Sequence, residues 1–520
     1  MKKYILWLGL ALSSGVFSSC EKFLDQNTDP NNPSTATPNF LLPGIISQGI
    51  QTQMFTALTT VYTTQYLVRR SPVGSTDQFN FTNANSTNTF NYTYYYSAGN
   101  INPMIKEAQN EGSPYYVGAG KVMMALVLSH ATDMLGDIPY TEAFLGAQNY
   151  TPKYDSQEQI YATVNQLLDE AVVELSKPAA ENFRPLYTTV PAVSGDILYL
   201  GDVQKWIRLA YSLKARQLNH LSKKGSYKPE EVLALVDKGF KSSQDDAQLN
   251  YQVAVAPLTG TTNIFGTTRN NFATATFSAN FLKYLNGNTF AGGVVDPRLP
   301  VMATSLSTTG IDPGVTSTNA TVPATNLTGG FTDFYSSWYA RDLGYFEVIT
   351  YHELKFIEAE AAFKAGQLDR SLAALREGIR AHMAKIGVGG SNALPAVTFP
   401  VINQGQIDAY LASPAVPQTT AQLSREYIMN QKYIAMFLNP ESWSDMRRYD
   451  FAIYPNLRFP VGVNSDFRQV AGQPLKWPRR MLPGGTEVLY NPQAVAGLLS
   501  SVGAASNNDY ITKPMWWDQP

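Results

Sequence analysis

The residue types that carry acid–base or metal chemistry are sparse in this chain. Its four histidines, at 130, 220, 352 and 382, include no pair at metal-ligand spacing. His352 opens the stretch HELKF, which begins as a zinc-protease helix does. Phe356 fills the fifth position, where the second ligand belongs, so His352 reads as an ordinary helix residue. The stretch GAGKV from Gly118 is not a phosphate loop: Tyr115 takes the first glycine's place and Val122 that of the metal-binding hydroxyl. No G-x-S-x-G nucleophile elbow occurs. Glu353, Glu358 and Glu360 lie close together, and glycoside hydrolysis needs only two carboxyl groups at a set separation. At spacings of five and two residues they share no helix face well, so a structural role is the simpler reading. Arg447 and Arg448 have the chemistry to grip an anion, but Asp445 and Asp450 beside them point to local ion pairs. No catalytic set, metal site or cofactor motif emerges.

The one reactive thiol is Cys20, the only cysteine of 520 residues. Lys2 and Lys3 precede an apolar run over 4–12, and small residues lead to Ser18, Ser19 and Cys20, the layout of a secretory signal too short to span a bilayer. Ser-Ser-Cys resembles the bacterial lipobox, in which the thiol is acylated and the chain is cut just before it. An exported chain with a single cysteine has no disulfide partner, which also favours lipid. The expectation is a signal over 1–19 and a lipidated arm over 20–42.

A net charge of −2 with 15% charged residues makes neither nucleic acid nor an anionic lipid surface an electrostatically obvious partner. Aromatic content is high at 12%, with 30 tyrosines, many set among Asn, Thr, Ser and Gly. Tyrosine offers a flat apolar face and a polar edge, which suits a surface for polar ligands. Past residue 20 no apolar run reaches membrane-spanning length, and no barrel-like alternation repeats.

The elements that must position these residues read mostly as helices. Ile46, Ile50, Met54, Leu58, Val61 and Tyr66 fall near one helical face, and 114–134 reads as a buried helix ended by Gly136. Ser156 and Gln159 form a capping box before a stripe of Ile160, Val164, Leu167, Ala171 and Leu175. Asp202 caps a helix carrying Trp206, Leu209, Leu213 and Leu221, closed by Gly225, and another helix runs over about 420–438. In 358–379 two helical segments meet at a turn over 366–369. Small Ser371 and Gly378 flank large Leu375, as in the second half of a tetratricopeptide repeat; a generic helical hairpin fits nearly as well. Residues 251–345 break the pattern, and 310–334 lack periodicity and nearly all charge, which reads as ligand-facing loop.

Several ordered stretches together resemble one family: the lipobox with CEKFLD, GDIPYTEAF at 136–144, KWIRLAYSLKARQLNHL at 205–221, TYHELKFIEAEAAFKAG at 350–366, QKYIAMFLNPESWSDMRRYD at 431–450 and PRRMLPGGTEVLYNPQAV at 478–495. They resemble the SusD/RagB outer-membrane lipoproteins of Bacteroidetes, in order over nearly the whole chain. The resemblance implies a mostly α fold, a tetratricopeptide-like helical-hairpin scaffold with long loop-rich insertions on the ligand-binding side. One domain would fill 43–520, with scaffold over about 43–250 and 346–455 and loop-rich parts over about 251–345 and 456–520. It also implies a surface-exposed, non-enzymatic receptor, lipid-anchored in the outer membrane. Such a receptor binds oligosaccharide or another nutrient and acts as a lid on a SusC-like TonB-dependent transporter barrel.

The family supplies no catalytic residues to carry over. By rough placement, the ligand-facing half holds Tyr66, Arg69, Tyr92, Tyr94, Tyr95, Asn100, Phe334, Tyr335 and Trp338. Tyr94 and Tyr95 fit a helical core equally well. Trp338 leads the set, with a plug beneath the loops as its alternative. Two other functions stay open, a lipid-anchored glycoside hydrolase and a tetratricopeptide-type protein-binding adaptor. The sequence does not identify the ligand.

Overall fold

The computed structural model describes residues 36–69, 76–190, 193–252, 262–269, 271–272, 275–303, 334–392, 396–460, 463, 465–467 and 476–520. Cys20, the signal and residues 310–333 lie outside them. Helix α1 (Pro38–Thr63) starts on a proline, whose missing N–H costs nothing in a first turn, so helix begins inside the stretch read as arm. Strand β1 (Leu67–Arg69) follows. Then come α2 (Ala84–Asn91), a π-helical run (Tyr92–Ala98), α3 (Gly99–Glu111) and α4 (Pro114–Leu135). Gly136 ends α4 as expected, at φ +91°.

Helix α5 (Gln157–Leu175) opens with the Ser156–Gln159 capping box. Its buried stripe runs through Leu168, not Leu167, because the buried face also takes in Gln157 and Tyr161, which turns its centre towards 168. The glycines of GAGKV serve this packing: a Cβ on Gly118 would sit 2.5 Å from Leu175, and one on Gly120 2.8 Å from Ile105. Helix α6 (Val203–His220) is capped by the Asp202 side chain and ends before Gly225, in a 3₁₀ turn. Helix α7 (Pro229–Val236) leads to β2 (Ala247–Asn250). The region read as loop holds β3 (Ala275–Phe277) and the short helices α8 (Ala279–Leu285) and α9 (Leu299–Met302). β1 pairs antiparallel with β3, and β2 with β4 (Tyr345–Ile349).

The expected hairpin is α10 (Tyr351–Lys364) and α11 (Leu368–Ile386), turned at Gly366 with φ +74°. Its small residues do what the pattern implies. The Ser371 hydroxyl donates to Ala359 O at 2.6 Å, and a Cβ on Gly378 would press on the Phe356 ring at 3.1 Å. Helices α12 (Gln404–Leu411), α13 (Arg425–Ala435) and α14 (Glu441–Arg448) complete the scaffold. Helices α15 (Gly485–Tyr490), α16 (Pro492–Ser501) and α17 (Asn507–Thr512) close the chain. The fold is mostly helical, on a tetratricopeptide-like scaffold.

Charged side chains run through that scaffold. Arg216 forks onto Glu353 at 2.5 and 2.6 Å, and Arg448 bonds both Glu360 and Asp445 at 2.5 Å. The predicted local pair of Arg448 with Asp445 is present. Arg447 instead donates to the carbonyls of Asp133 and Arg479 and lies over Trp443. His220 sits between Glu441 at 2.5 Å and Asp133 at 3.3 Å. Burial alone would lower its pKa, but the two carboxylates outweigh burial and raise it to about 9. A folded-state pKa raised above the ordinary value gives stability that is full below about pH 6.5 and is lost as pH climbs through the folded value. The melting-temperature gap between wild type and His220→Gln should therefore be widest near about pH 6 and narrow by about pH 9.5. A gap independent of pH would mean that no imidazolium is held there.

Candidate functional site

Most of α1 is buried, but Ser47, Gln51, Phe55 and Leu58 recur at helical spacing on a half-buried face. The π-helical run packs close beside it. Gly49 permits the approach: a Cβ there would lie 2.9 Å from both Ser97 Oγ and Met123 Cε. The Ser97 hydroxyl donates to Ile45 O at 3.3 Å. Pro103, which has no N–H to return to the carbonyls one turn back, lies just past the change of pitch.

The wide turn sets Tyr92 and Tyr96 side by side, with ring centroids 4.8 Å apart, and lays Tyr92 on Phe55 at 4.6 Å. Tyr95, 76% exposed, meets Tyr96 edge-on at 4.8 Å. Phe55, Tyr92, Tyr95 and Tyr96 make an aromatic shelf. Burial and the neighbouring Tyr96 raise the pKa of the Tyr92 phenol, while Arg269 pulls it down, so a cation stands within electrostatic reach.

One and two helical turns back from Phe55, Gln51 and Ser47 line a cavity of about 320 Å³. Its other walls are Leu249, Asn250, Tyr251 and Gln252 at the end of β2, with Thr262 and Ile197. The Tyr251 hydroxyl is buried without a hydrogen-bond partner, and burial pushes its pKa well above the ordinary value. Gln51 makes only long contacts of 3.4 Å back to Ser47. Ring faces beside a free phenol and several amides suit a ligand with flat apolar faces and many hydroxyls.

Two of the sequence candidates, Tyr92 and Tyr95, stand on the shelf. Asn100 is exposed one turn further on, its amide donating to Tyr96 O at 3.2 Å. Tyr94 faces away: its hydroxyl donates to Pro139 O at 2.7 Å and its ring lies on Phe90. Arg69 is half-buried over the Tyr62 ring, and the half-buried Tyr335 hydroxyl accepts from Phe272 N at 3.0 Å.

Three candidates are corrected by their burial. The Tyr66 ring stacks on Tyr433 at 4.4 Å, and its hydroxyl donates to Tyr433 O. Phe334 is fully buried, edge-on to Phe272. Trp338 is 2% exposed, clamped by the Arg341 guanidinium at 3.7 Å and by Tyr339 and Tyr345 edge-on. The fold does bring the 66 and 334–339 regions together, but in the core, around Phe437. Gln51, Phe55, Tyr96, Asn250 and Tyr251 were not among the sequence candidates. The local signals for them are the polar Ser47 and Gln51 beside the apolar stripe of α1, the tyrosine run over 92–96 and, for Tyr251, the start of the loop-rich part at about 251.

Among the described residues, no group of three or more His, Cys, Asp or Glu is placed to hold a metal, and no helix is long and apolar enough to cross a membrane. The SusD-like family model, described as "Starch-binding associating with outer membrane", matches residues 30–470. The chain belongs to the SusD-like family. Similar solved structures include a chitin-binding protein, 24% identical, with TM-score 0.70 over 93% of this chain and 100% of its own. A SusD/RagB family protein from Bacteroides thetaiotaomicron is also 24% identical, with TM-score 0.69 over 93% and 99%. A chitin-binding SusD homologue from Flavobacterium johnsoniae is 19% identical, with TM-score 0.69 over 92% and 98%. No curated protein matches the chain. These structures share the SusD-like fold seen here.

Trp338 in this SusD-like chain thus fits the plug. Trp338→Ala should lower stability by about 3–5 kcal/mol in urea unfolding, as large core truncations do. Near-native stability in that variant would return the residue to the surface.

Proposed function

We propose that this SusD-like chain is a lipid-anchored glycan receptor of the outer membrane that passes oligosaccharide to a SusC-like TonB-dependent transporter. The observation that carries the reading is the aromatic shelf of Phe55, Tyr92, Tyr95 and Tyr96, continuous along one helix face with a cavity whose buried phenol has no partner. A sugar stacks its C–H face on such rings and turns its hydroxyls to Gln51, Asn250 and Tyr251. The family's starch-binding description and the two chitin-binding relatives support the same ligand class.

The carboxylates left open for glycoside hydrolysis are held in ion pairs: Glu353 by Arg216, Glu358 by Arg370 and Lys355, Glu360 by Arg448. That favours a binder over a hydrolase. The anchor rests on the sequence around Cys20, which lies outside the described residues.

The loop over 183–200 supports a protein partner. Phe183, Tyr187, Val190, Val193, Ile197 and Leu200 are all exposed on it, an apolar surface of the kind that marks an interface. The loop is rigid. The Asp196 carboxylate accepts from the backbone N–H groups of Leu198, Tyr199 and Gly201 and from the Trp206 indole, at 2.8–3.0 Å. Leu200 is displayed outward at φ +52°, a rare conformation for a bulky residue. Because Ile197 also lines the cavity, a partner docked on this loop would close over the ligand.

Two measurements test this reading. Calorimetric titration with maltoheptaose and chitohexaose should show binding of one or both, weakened by roughly 1–3 kcal/mol in Tyr96→Ala, by analogy with base stacking on aromatics, at unchanged melting temperature. Full affinity in that variant removes the shelf from the site. Purification in mild detergent from the native host should recover a barrel with wild type and lose it with Phe183→Asp/Leu200→Asp. Wild type recovered alone, with the barrel expressed, counts against the partnership.

A further inference from the structure

A second cleft, of about 290 Å³, shares no lining residue with the cavity beneath α1. It opens among the turn after α6, the last residue of α10, the first of α13 and the last of α14. Four cations line it, Lys223, Lys364, Arg425 and Arg448, against one carboxylate, Asp450. The walls are fastened to one another. Arg448, 1% exposed, donates to Ser222 Oγ at 2.9 Å and to Asn219 O at 3.3 Å. Lys223 meets Asp450 at 2.7 Å, and the Lys364 ammonium donates to Ser222 O. The cleft is therefore preformed, and no ligand is needed to gather its charges.

Two of the four cations are neutralised. Arg448 and Lys432 are matched by Glu360 and Asp445, and Lys223 and Arg479 by Asp450 and Asp518. Lys364 and Arg425 are not: among the described residues neither makes an ion pair. Lys364 has the Ser222 carbonyl and the Tyr227 ring at 4.6 Å, and Arg425 has the Tyr449 ring at 5.1 Å. Glu360 is the carboxylate that pulls on Lys364, but Arg448, Asn219 and Tyr449 already donate to it. Glu426, next to Arg425 in sequence, lies about 100° round the helix and bears on Tyr284. Burial, with repulsion from Arg425 and Arg448, holds the Lys364 pKa below the ordinary lysine value despite Glu360. Two positive charges thus face one cleft in excess.

We propose that this cleft binds a small organic anion, whose carboxylate, phosphate or sulfate group sits between Lys364 and Arg425. A guanidinium offers a planar fork of donors and an ammonium a mobile point charge, and both suit an oxyanion. An anion between the two cations also removes their mutual repulsion, which adds to the attraction each exerts. The volume is near the small end of organic-ligand sites, about 300 Å³, so the anion carries a compact carbon body. Ala452, Ile453 and the Tyr449 ring give that body an apolar lining. The proposal does not depend on the glycan-receptor reading, since it holds whether or not the chain takes starch or chitin.

The test titrates the full chain at low ionic strength with glucuronate, glucose-6-phosphate and glucose-6-sulfate, with inorganic phosphate and neutral glucose as references. At least one of the three organic anions should bind at one site per chain, and which one binds identifies the oxyanion. Its affinity should fall as salt is raised, because exposed charges are screened within about 10 Å at about 0.1 M. Arg425→Gln and Lys364→Gln should each weaken that binding about tenfold or more. Arg425 is exposed and its side chain makes no hydrogen bond among the described residues, so its variant should melt as wild type does. Lys228→Gln removes an exposed cation outside the cleft, at the same change in net charge, and should bind as wild type. Binding of none of the three organic anions, or binding untouched in both cleft variants, overturns the site. An equal loss in Lys228→Gln does the same, since a general field would then explain it. Inorganic phosphate held as tightly as glucose-6-phosphate overturns the organic ligand and leaves a bare-ion site.

Discussion

The structure depends on a set of buried ion pairs that fasten five helices at fixed register. Asp133 of α4, Arg216 and His220 of α6, Glu353 and Glu360 of α10, Lys432 of α13, and Glu441, Asp445 and Arg448 of α14 form linked contacts with little or no solvent access. Removing one partner of such a pair strands a charge and costs about 3–5 kcal/mol, yet replacing whole pairs by apolar groups is often neutral. We read their contribution as placement. An apolar helix face tolerates a slip of one turn; a forked Arg216–Glu353 contact does not. The stretches that carry the family resemblance are largely the ones that carry these charges: 205–221 supplies Arg216 and His220, 350–366 supplies Glu353 and Glu360, and 431–450 supplies the rest except Asp133.

That placement explains what could be read from the sequence. The α10–α11 hairpin was legible because its turn glycine and its small residues sit within one local stretch. Glu358 shares no helix face well with Glu353 or Glu360, as its spacing implies, whereas Glu353 and Glu360, seven residues apart, share one face of α10 and are held there by Arg216 and Arg448. Tyr66 and Trp338 were misjudged for the opposite reason. The neighbours of Trp338 in sequence are Ser and Tyr, a composition that suggests exposure, but its burial is set by Arg341 and Tyr345 folding back over the ring. The partner of Tyr66 lies 367 positions away, beyond any local pattern. Tyr251 was missed because its cavity exists only where β2 ends against the open face of α1.

The tyrosine run over 92–96 shows how one segment serves both the core and the surface. Successive residues of a helix point in different directions, so four tyrosines in five positions cannot all share one environment. Tyr94 turns inward and spends its hydroxyl on Pro139 O, which anchors the segment. Tyr92 and Tyr96 then share the opposite side, and Tyr95 stands on the crest. The anchor and the platform are therefore coupled: the ring that faces the core fixes the angle at which the others face solvent.

Stacking on a fixed platform does not by itself choose between sugars, since most pyranose rings offer a C–H face of similar size. Discrimination has to come from groups that are costly to leave unpaired. Tyr251 is such a group, because its buried hydroxyl already lacks a partner and a ligand oxygen placed there would relieve that cost. Asn250 and Gln252, at and just beyond the end of β2, flank it on the cavity wall, where hydroxyl position can be read. Under the proposed receptor function, the shelf would set how strongly a chain of sugars is held. The end of β2 would set which sugar is held, and the helical scaffold fixes the distance between the two.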